Sequence, residues 1–252
     1  MCTFVILRRP GHDWPVLIGA NRDEMIDRPW LPPARHWPDR PDIVAGMDEL
    51  AGGSWLGIND FGVVAGILNR HGSLGPAPGQ RSRGELVLEA LDHADAHTAA
   101  EALAALDPRA YRTFNLIIAD NRDAFWLRHA DPTGTLPIES TKLRAGLGMI
   151  AAGDLDDMDT ARLKKYRPLF SAATPPDPSR DDWASWENLL LDDNRESGGD
   201  PHDAMQFDTG RGFATVSSSL IALPSAERLG TKPIFRFRAH RPQPSAWRDV
   251  LA

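Results

Sequence analysis

Cysteine is almost absent. Among 252 residues there is one, Cys2, and a single thiol cannot close an internal disulfide. No oxidising compartment is implied, and a cytoplasmic protein is expected. Long apolar runs are absent too. The opening "TFVIL" is far short of the roughly 20 residues a membrane helix needs. It precedes Arg8 and Arg9, the reverse of the order in a secretory leader. Neither a leader nor a membrane span is expected. Basic charge is in deficit: 28 Lys and Arg against 35 Asp and Glu leave a net charge of -7. That balance disfavours nucleic acid and anionic membrane surfaces as partners. There is no P-loop and no dinucleotide-binding glycine motif. The serines of "VSSSL" (216–220) lack the flanking glycines of a nucleophile elbow and any evident histidine partner.

What is present is an ordinary globular mixture, 42% hydrophobic and 25% charged, long enough to bury a core. No repeat and no dividing linker interrupts it, so a single domain over 1–252 is expected. "TFVILR" and "PVLIGA" read as a hairpin around a loop at 9–15. "SWLGIN" with "VVAGILN", and "FNLIIAD" with "AFWLRHA", read as two more. "GLGMIAA", "FATVSSSLIAL" and "KPIFRFRAH" are further strands. Between them lie helical stretches: Ser82 with Glu85, and Thr98 with Glu101, have capping-box spacing. A third helix contains Pro168, which is expected to kink or end it. Ser179 is the expected cap of a fourth. The proline- and tryptophan-rich stretch 29–42 reads as a stiff loop, and 192–203 as a flexible one. Hairpin groups interleaved with helices predict an α+β protein with helices packed on antiparallel sheets.

The first hairpin gives Cys2 a setting. With the loop centred on Gly11 to Asp13, antiparallel pairing brings Cys2 opposite Asn21 to Asp23. Removal of Met1 would leave Cys2 with a free α-amine of pKa about 7.7–8.0, a base at neutral pH. A thiol beside its own amine is nucleophile and general base in one residue. Arg22 is expected to lower the thiol pKa, and Asp23 to orient the protonated amine. Neighbouring residues on a regular strand face opposite ways. Either the strand ends before Arg22, or Asn21 pairs with Asp23 on one face and Arg22 with Glu24 on the other. The competing reading is an inert buried thiol. The second strand of the next hairpin ends at Asn69, before Gly72, where an amide can project as an oxyanion donor; turn chemistry is the alternative. Gly52 and Gly53 allow close backbone approach, and Trp55 offers an apolar wall.

The ordered set "MCTF", "GANRDE", "GGSWLGIND" with "GVVAGILN", "FNLIIAD" and "GFATVSSSLIALP" resembles the NRDE family, that of transport and Golgi organisation protein 2. That family is similar to the N-terminal nucleophile (Ntn) hydrolases of the choloylglycine hydrolase and penicillin V acylase group. The resemblance implies a four-layer αββα sandwich of two antiparallel sheets. It implies Cys2, Arg22, Asp23 and Asn69 as catalytic residues, with Asn21, Trp55, Asn115, Asp154 and Ser217 at the substrate. Arg22 and Asp23 are contiguous here, whereas the hydrolases separate them. Asp154, in "MIAAGDLDDMD", stands where those enzymes carry a later Asn. Their late Arg has no clear match, since "FATVSSSL" offers Val216 and serines.

Two functions follow as expectations. One is a cysteine amidohydrolase that cleaves a non-peptide C–N amide of a small N-acyl substrate, without cofactor or metal. The other is a non-catalytic protein that binds or carries haem or an acyl lipid, with His36 and His71 as candidate axial ligands. Trp30, Trp37, Trp55 and Trp126 could wall an apolar pocket. His93 and His97 are four apart, a spacing that could bind a metal on one helix, but Thr98 reads as a cap just after them, which makes the stretch a joint between helices.

Overall fold

The computed structural model describes residues 2–195 and 199–252. In chain order its strands and helices are β1 (Thr3–Arg8), β2 (Val16–Met25), β3 (Trp30–Ala34), β4 (Ile43–Asp48), β5 (Leu56–Asn59), β6 (Val64–Asn69), α1 (Gly84–Leu91), α2 (Ala96–Ala104), β7 (Phe114–Ala119), β8 (Ala124–His129), β9 (Glu139–Lys142), β10 (Gly146–Ile150), α3 (Ala161–Ala172), α4 (Ala184–Leu190), β11 (Phe213–Leu223), β12 (Ile234–Ala239) and β13 (Arg248–Asp249). These form two compact units. One joins the segment ending at Arg28 to Ala145–Ala252, and the other is Pro29–Arg144. The expected α+β class, with two antiparallel sheets and helices, is what the chain adopts.

The first unit is a six-stranded sheet in the order β10-β1-β2-β11-β12-β13. Val5, Leu17, Met149, Leu220 and Ala222 pack beneath Leu163, Tyr166 and Phe170 of α3 and Trp186 and Leu190 of α4. Gly19 admits Trp186: a Cβ there would sit 3.2 Å from the indole. The alternate residues Phe4, Ile6, Val16, Ile18 and Ile221 are buried as well. Strands buried on both faces read as unbroken apolar runs, which is how "TFVIL" and "PVLIGA" look in the sequence.

The second unit is a seven-stranded sheet in the order β3-β4-β5-β6-β7-β8-β9. Helices α1 and α2 cover the face that carries Ile43, Ala45, Ala65, Leu116, Ile118 and Leu127. The stretch expected as a stiff loop at 29–42 opens as a strand instead. It lies at the sheet edge, and its pairing with β4 shifts between Leu31 and Ala34, across Pro32 and Pro33. Prolines are tolerated at an edge or bulge because no ladder N–H is required there.

Helix starts differ from the capping-box reading. Asp95, not Thr98, caps α2, accepting the Thr98 N–H at 2.8 Å. Ser82 accepts from the Gly84 N–H at 3.2 Å, while Glu85 pairs with Arg81, so no reciprocal box forms. Ser179 caps no α-helix. It accepts from the Trp14 indole at 2.8 Å and from Arg228 at 2.9 Å. Pro168 lies inside α3 without ending it. Of the expected loop 192–203, residues 196–198 lie outside the described residues, and Pro201–Asp203 is a single 3-10 turn.

The two glycines before Trp55 have different physical roles. Gly52 has φ +70 and open space around it, so it supplies a left-handed turn, whereas a Cβ on Gly53 would lie 2.5 Å from the Gly84 backbone carbon. The start of α1 approaches that closely because the Ser54 N–H bonds to the Gly84 carbonyl at 3.0 Å. Gly53→Ala is therefore expected to destabilise the protein by about 2–3 kcal/mol, read as a lower urea midpoint at unchanged slope. Gly52→Ala acts through backbone strain alone and should cost about 1–2 kcal/mol.

Candidate active site

The sulfur of Cys2 rests on the peptide of Asp23. The Asp23 N–H reaches Sγ at 3.4 Å, and Sγ lies 3.6 Å from the Asp23 carbonyl oxygen. Register explains this. Strands β1 and β2 pair Thr3 with Asn21, so the next step outward sets Cys2 against Arg22. Cys2 is half-buried.

The question of which NRDE side chains share a face is settled by β2 continuing through Met25. Asn21 and Asp23 turn to the side covered by α3 and α4. Arg22 turns to the other, with Glu24 Oε2 at 3.7 Å. The register of β11 serves both the Asp23 carboxylate and the Asn21 amide. Thr215 pairs with Asp23 and Ser218 with Asn21, but a bulge intervenes between Thr215 and Ser217. The extra residue is Val216, whose carbonyl accepts both the His240 and Arg241 N–H groups. In a regular strand the partners of residues 21 and 23 would be two apart; the bulge lets hydroxyls three apart both point at them. Thr215 Oγ1 donates to Asp23 Oδ1 at 2.8 Å, and Ser218 Oγ donates to Asn21 Oδ1 at 2.6 Å.

Asn21 is fixed by its surroundings. Its amide nitrogen donates to the Leu190 and Met205 carbonyls at 2.8 and 2.9 Å, so Oδ1 must accept. Ser218 therefore spends its proton on Asn21, and His240 Nε2, 2.8 Å away, must be the protonated nitrogen donating to Ser218. The "VSSSL" run thus does have a histidine partner, contrary to the sequence reading. Yet Ser218 and His240 are buried, and the histidine cannot act as a base near neutral pH. Burial, with Arg238 and Arg241 nearby, lowers its pKa to about 4.

That shift has a consequence for stability. The unfolded chain takes up the proton near pH 6.5 and the folded chain only near 4, so stability is full above pH 6.5 and falls as pH drops toward 4. The loss should reach about 3 kcal/mol, measured as urea stability at pH 7 and pH 4. A His240→Gln variant should show a shallower decline over that interval.

Asp23 is the anchor of a buried ion pair. Arg162 Nη1 donates to Asp23 Oδ2 at 2.8 Å, and neither side chain is exposed. The same nitrogen donates to Thr3 Oγ1 at 2.8 Å, and Arg162 Nε donates to the His202 carbonyl at 2.9 Å. Arg162 was not among the residues read from the sequence. Its signal was there: on α3 it shares the buried stripe of Leu163, Tyr166 and Phe170, and an arginine on an apolar stripe needs a buried anion.

The thiol pKa moves opposite to the sequence expectation. Burial raises it and the Asp23 charge adds to the rise, while the Asp23 N–H and Arg22 pull it down by less. The guanidinium effect is real but loses to desolvation.

The remaining expected positions are distributed as follows. Ser217 is buried on β11 opposite Arg22. Asp154 is half-buried in the turn between β10 and α3. In the second unit, Asn69 ends β6 opposite Phe114, followed by Gly72 at φ +74. Asn115 is buried, and its Oδ1 accepts from Arg70 at 2.7 Å and the Trp126 indole at 3.1 Å. Trp55 meets Trp30 edge to face at 5.7 Å and lies over Gly46, whose Cβ would fall 2.2 Å from the ring. His36 Nε2 lies 2.8 Å from the Pro32 carbonyl oxygen, and His71 is exposed in a turn. His97 faces Glu101 at 3.5 Å, while the His93 carbonyl accepts from Asn59. Among the described residues, no three His, Cys, Asp or Glu side chains gather as metal ligands. No helix among them is long and apolar enough to cross a membrane.

The fold is similar to that of solved proteins of the Ntn-hydrolase fold. Penicillin V acylase from Agrobacterium tumefaciens matches with a TM-score of 0.54 at 14% identity, covering 100% of this chain and 86% of that one. The N-acylethanolamine-hydrolyzing acid amidase ortholog of Caenorhabditis elegans matches at 0.56 and 12% identity, over 87% and 92% of the two chains. The mutant C2A of conjugated bile acid hydrolase from Clostridium perfringens matches at 0.54 and 13% identity, over 100% and 93%. At such identities the likeness is one of fold. Within that fold the chain belongs to the Transport and Golgi organisation 2 family, whose model matches residues 1–178. A Mus musculus Transport and Golgi organization 2 homolog is 33% identical over 108 residues, 42% of this chain and 38% of the mouse protein. The Bos taurus homolog is 34% identical over 111 residues, again 38% of its length. The match thus spans well under half of the curated relatives.

Proposed function

We propose that this chain is an N-terminal-cysteine hydrolase that cleaves the C–N amide bond of a small, non-peptide N-acyl molecule. The observation that carries the reading is the seat of Cys2: its sulfur lies against the Asp23 N–H, on the strand that also holds Arg22. Removal of Met1 exposes the Cys2 α-amine. The amine takes the thiol proton as sulfur attacks the amide carbonyl, and the negative charge collects on the carbonyl oxygen. Backbone N–H groups beside the sulfur hold that oxyanion. Collapse breaks the C–N bond, and the ammonium returns its proton to the departing amine. Water, deprotonated by the same α-amine, then attacks the thioester and releases the acid, restoring the thiol. Three solved relatives in fold are named for action on amides or conjugates of this kind, which supports the reaction class. The single thiol suits a reducing compartment, in keeping with a cytoplasmic enzyme.

The test is release of free amine from a panel of N-acyl amino acids, N-acylethanolamines and lactams, followed with the wild type and with Cys2→Ala. Turnover by the wild type is expected, with none detectable for Cys2→Ala. Silence across the whole panel argues for a carrier in place of an enzyme.

A further inference from the structure

We infer that Arg162 is a positioning residue for Cys2, holding the peptide of Asp23 beneath the sulfur from the far side of the sheet. The inference rests on the reading of Cys2 as nucleophile but concerns a residue outside that mechanism. A single guanidinium nitrogen binds both supports of the thiol. Arg162 Nη1 donates to Thr3, the residue next to Cys2 in the chain, and to the carboxylate of Asp23, whose N–H touches Sγ. Two further ties limit its freedom. Nε donates to the His202 carbonyl at 2.9 Å. The guanidinium covers the Phe207 ring, with CZ 5.2 Å from the centroid. Thr215 holds the other Asp23 oxygen at 2.8 Å. The carboxylate is therefore clamped on the helix side, and the strand it belongs to can only present its peptide, at a fixed height, to the thiol on the edge. Once the thiolate forms, that N–H becomes a charge-assisted donor to it.

The clamp also matters electrically. The charged groups acting on Cys2 are Asp23, Arg22 and the chain's terminal amine. Arg162 neutralises the first of them. Loss of Arg162 then leaves an uncompensated anion beside the sulfur and a loosened N–H. Both effects disfavour the thiolate.

Alkylation by iodoacetamide reads this directly, because Cys2 is the only cysteine in the chain. The rate is measured from intact mass between pH 6 and 11 on the full chain, with folding checked by near-UV circular dichroism. Arg162→Met is expected to shift the profile upward by about one pH unit, so that alkylation at pH 8 slows about tenfold. Arg162→Lys keeps the cation but lacks the planar fork that reaches Thr3, Asp23 and the His202 carbonyl together, and should slow it about threefold. An unfolded variant would reveal itself by faster alkylation and a lost aromatic signal; Arg162→Lys then decides. A folded variant whose profile overlays the wild type overturns the positioning role. Since alkylation needs no turnover, a shifted profile without hydrolysis sinks the proposed reaction alone, and hydrolysis with an unshifted profile sinks this inference alone.

Discussion

Cys2→Ala is expected to lower amide turnover by about 10⁴–10⁶-fold, the scale on which hydrolases lose their nucleophile. The expectation is large because one residue supplies two functions. Its sulfur forms the bond to the acyl group, and its α-amine moves the proton in both half-reactions. Cys2→Ala keeps the amine and removes the sulfur, so what survives measures binding and oxyanion stabilisation without covalent catalysis. The fold should not suffer. Cys2 precedes β1 and is half-buried, and its side chain contributes only the weak contacts to the Asp23 peptide. Equal melting temperatures with lost turnover would attribute the defect to chemistry. Equal turnover would mean that the thiol is a bystander.

Arg162→Met is expected to destabilise the protein by about 3–5 kcal/mol, the range for breaking a buried ion pair from one side. The cost is not the attraction itself. It comes from leaving the Asp23 carboxylate buried without its cation. Thr3 and the His202 carbonyl each lose a charged donor as well. Replacing both partners should cost less than the sum of the single changes. A double variant, Arg162→Met with Asp23→Leu, is therefore expected to recover about 1–3 kcal/mol of the loss. Urea unfolding of the four proteins measures the coupling. Strict additivity would contradict the ion pair.

Most of the fold was legible because strands such as β1, β2, β7 and β11 are buried along most of their length and so stand out as apolar runs bounded by turns. The seat of Cys2 was legible for a simpler reason. A hairpin with its loop at 9–15 has only one sensible register, and that register brings residue 2 to residue 22. What stayed hidden depends on distant parts of the chain. Nothing local in "FATVSSSL" announces a bulge at Val216, whose carbonyl is claimed by His240 and Arg241 just past the end of β12. The partner of Asp23 comes from a helix 139 positions away. The two capping boxes misled because spacing alone does not say which residue is extended. Asp95 is, with φ -149 and ψ 156, and Thr98 is already helical. The prolines at 32 and 33 suggested a loop because an edge strand with a shifted register has the same composition as one. The direction of the thiol pKa was misjudged for a related reason: a neighbouring arginine is visible in sequence, whereas desolvation is not.

The most direct test of Cys2 as an amine-assisted nucleophile is the mass of the amino-terminal peptide, recovered after rapid acid quench of the protein with an N-acyl substrate that it turns over. The account predicts a peptide that begins at Cys2 and carries the acyl group on sulfur in the wild type but not in Cys2→Ala. A peptide that still begins at Met1, or an unmodified thiol during sustained turnover, would contradict it.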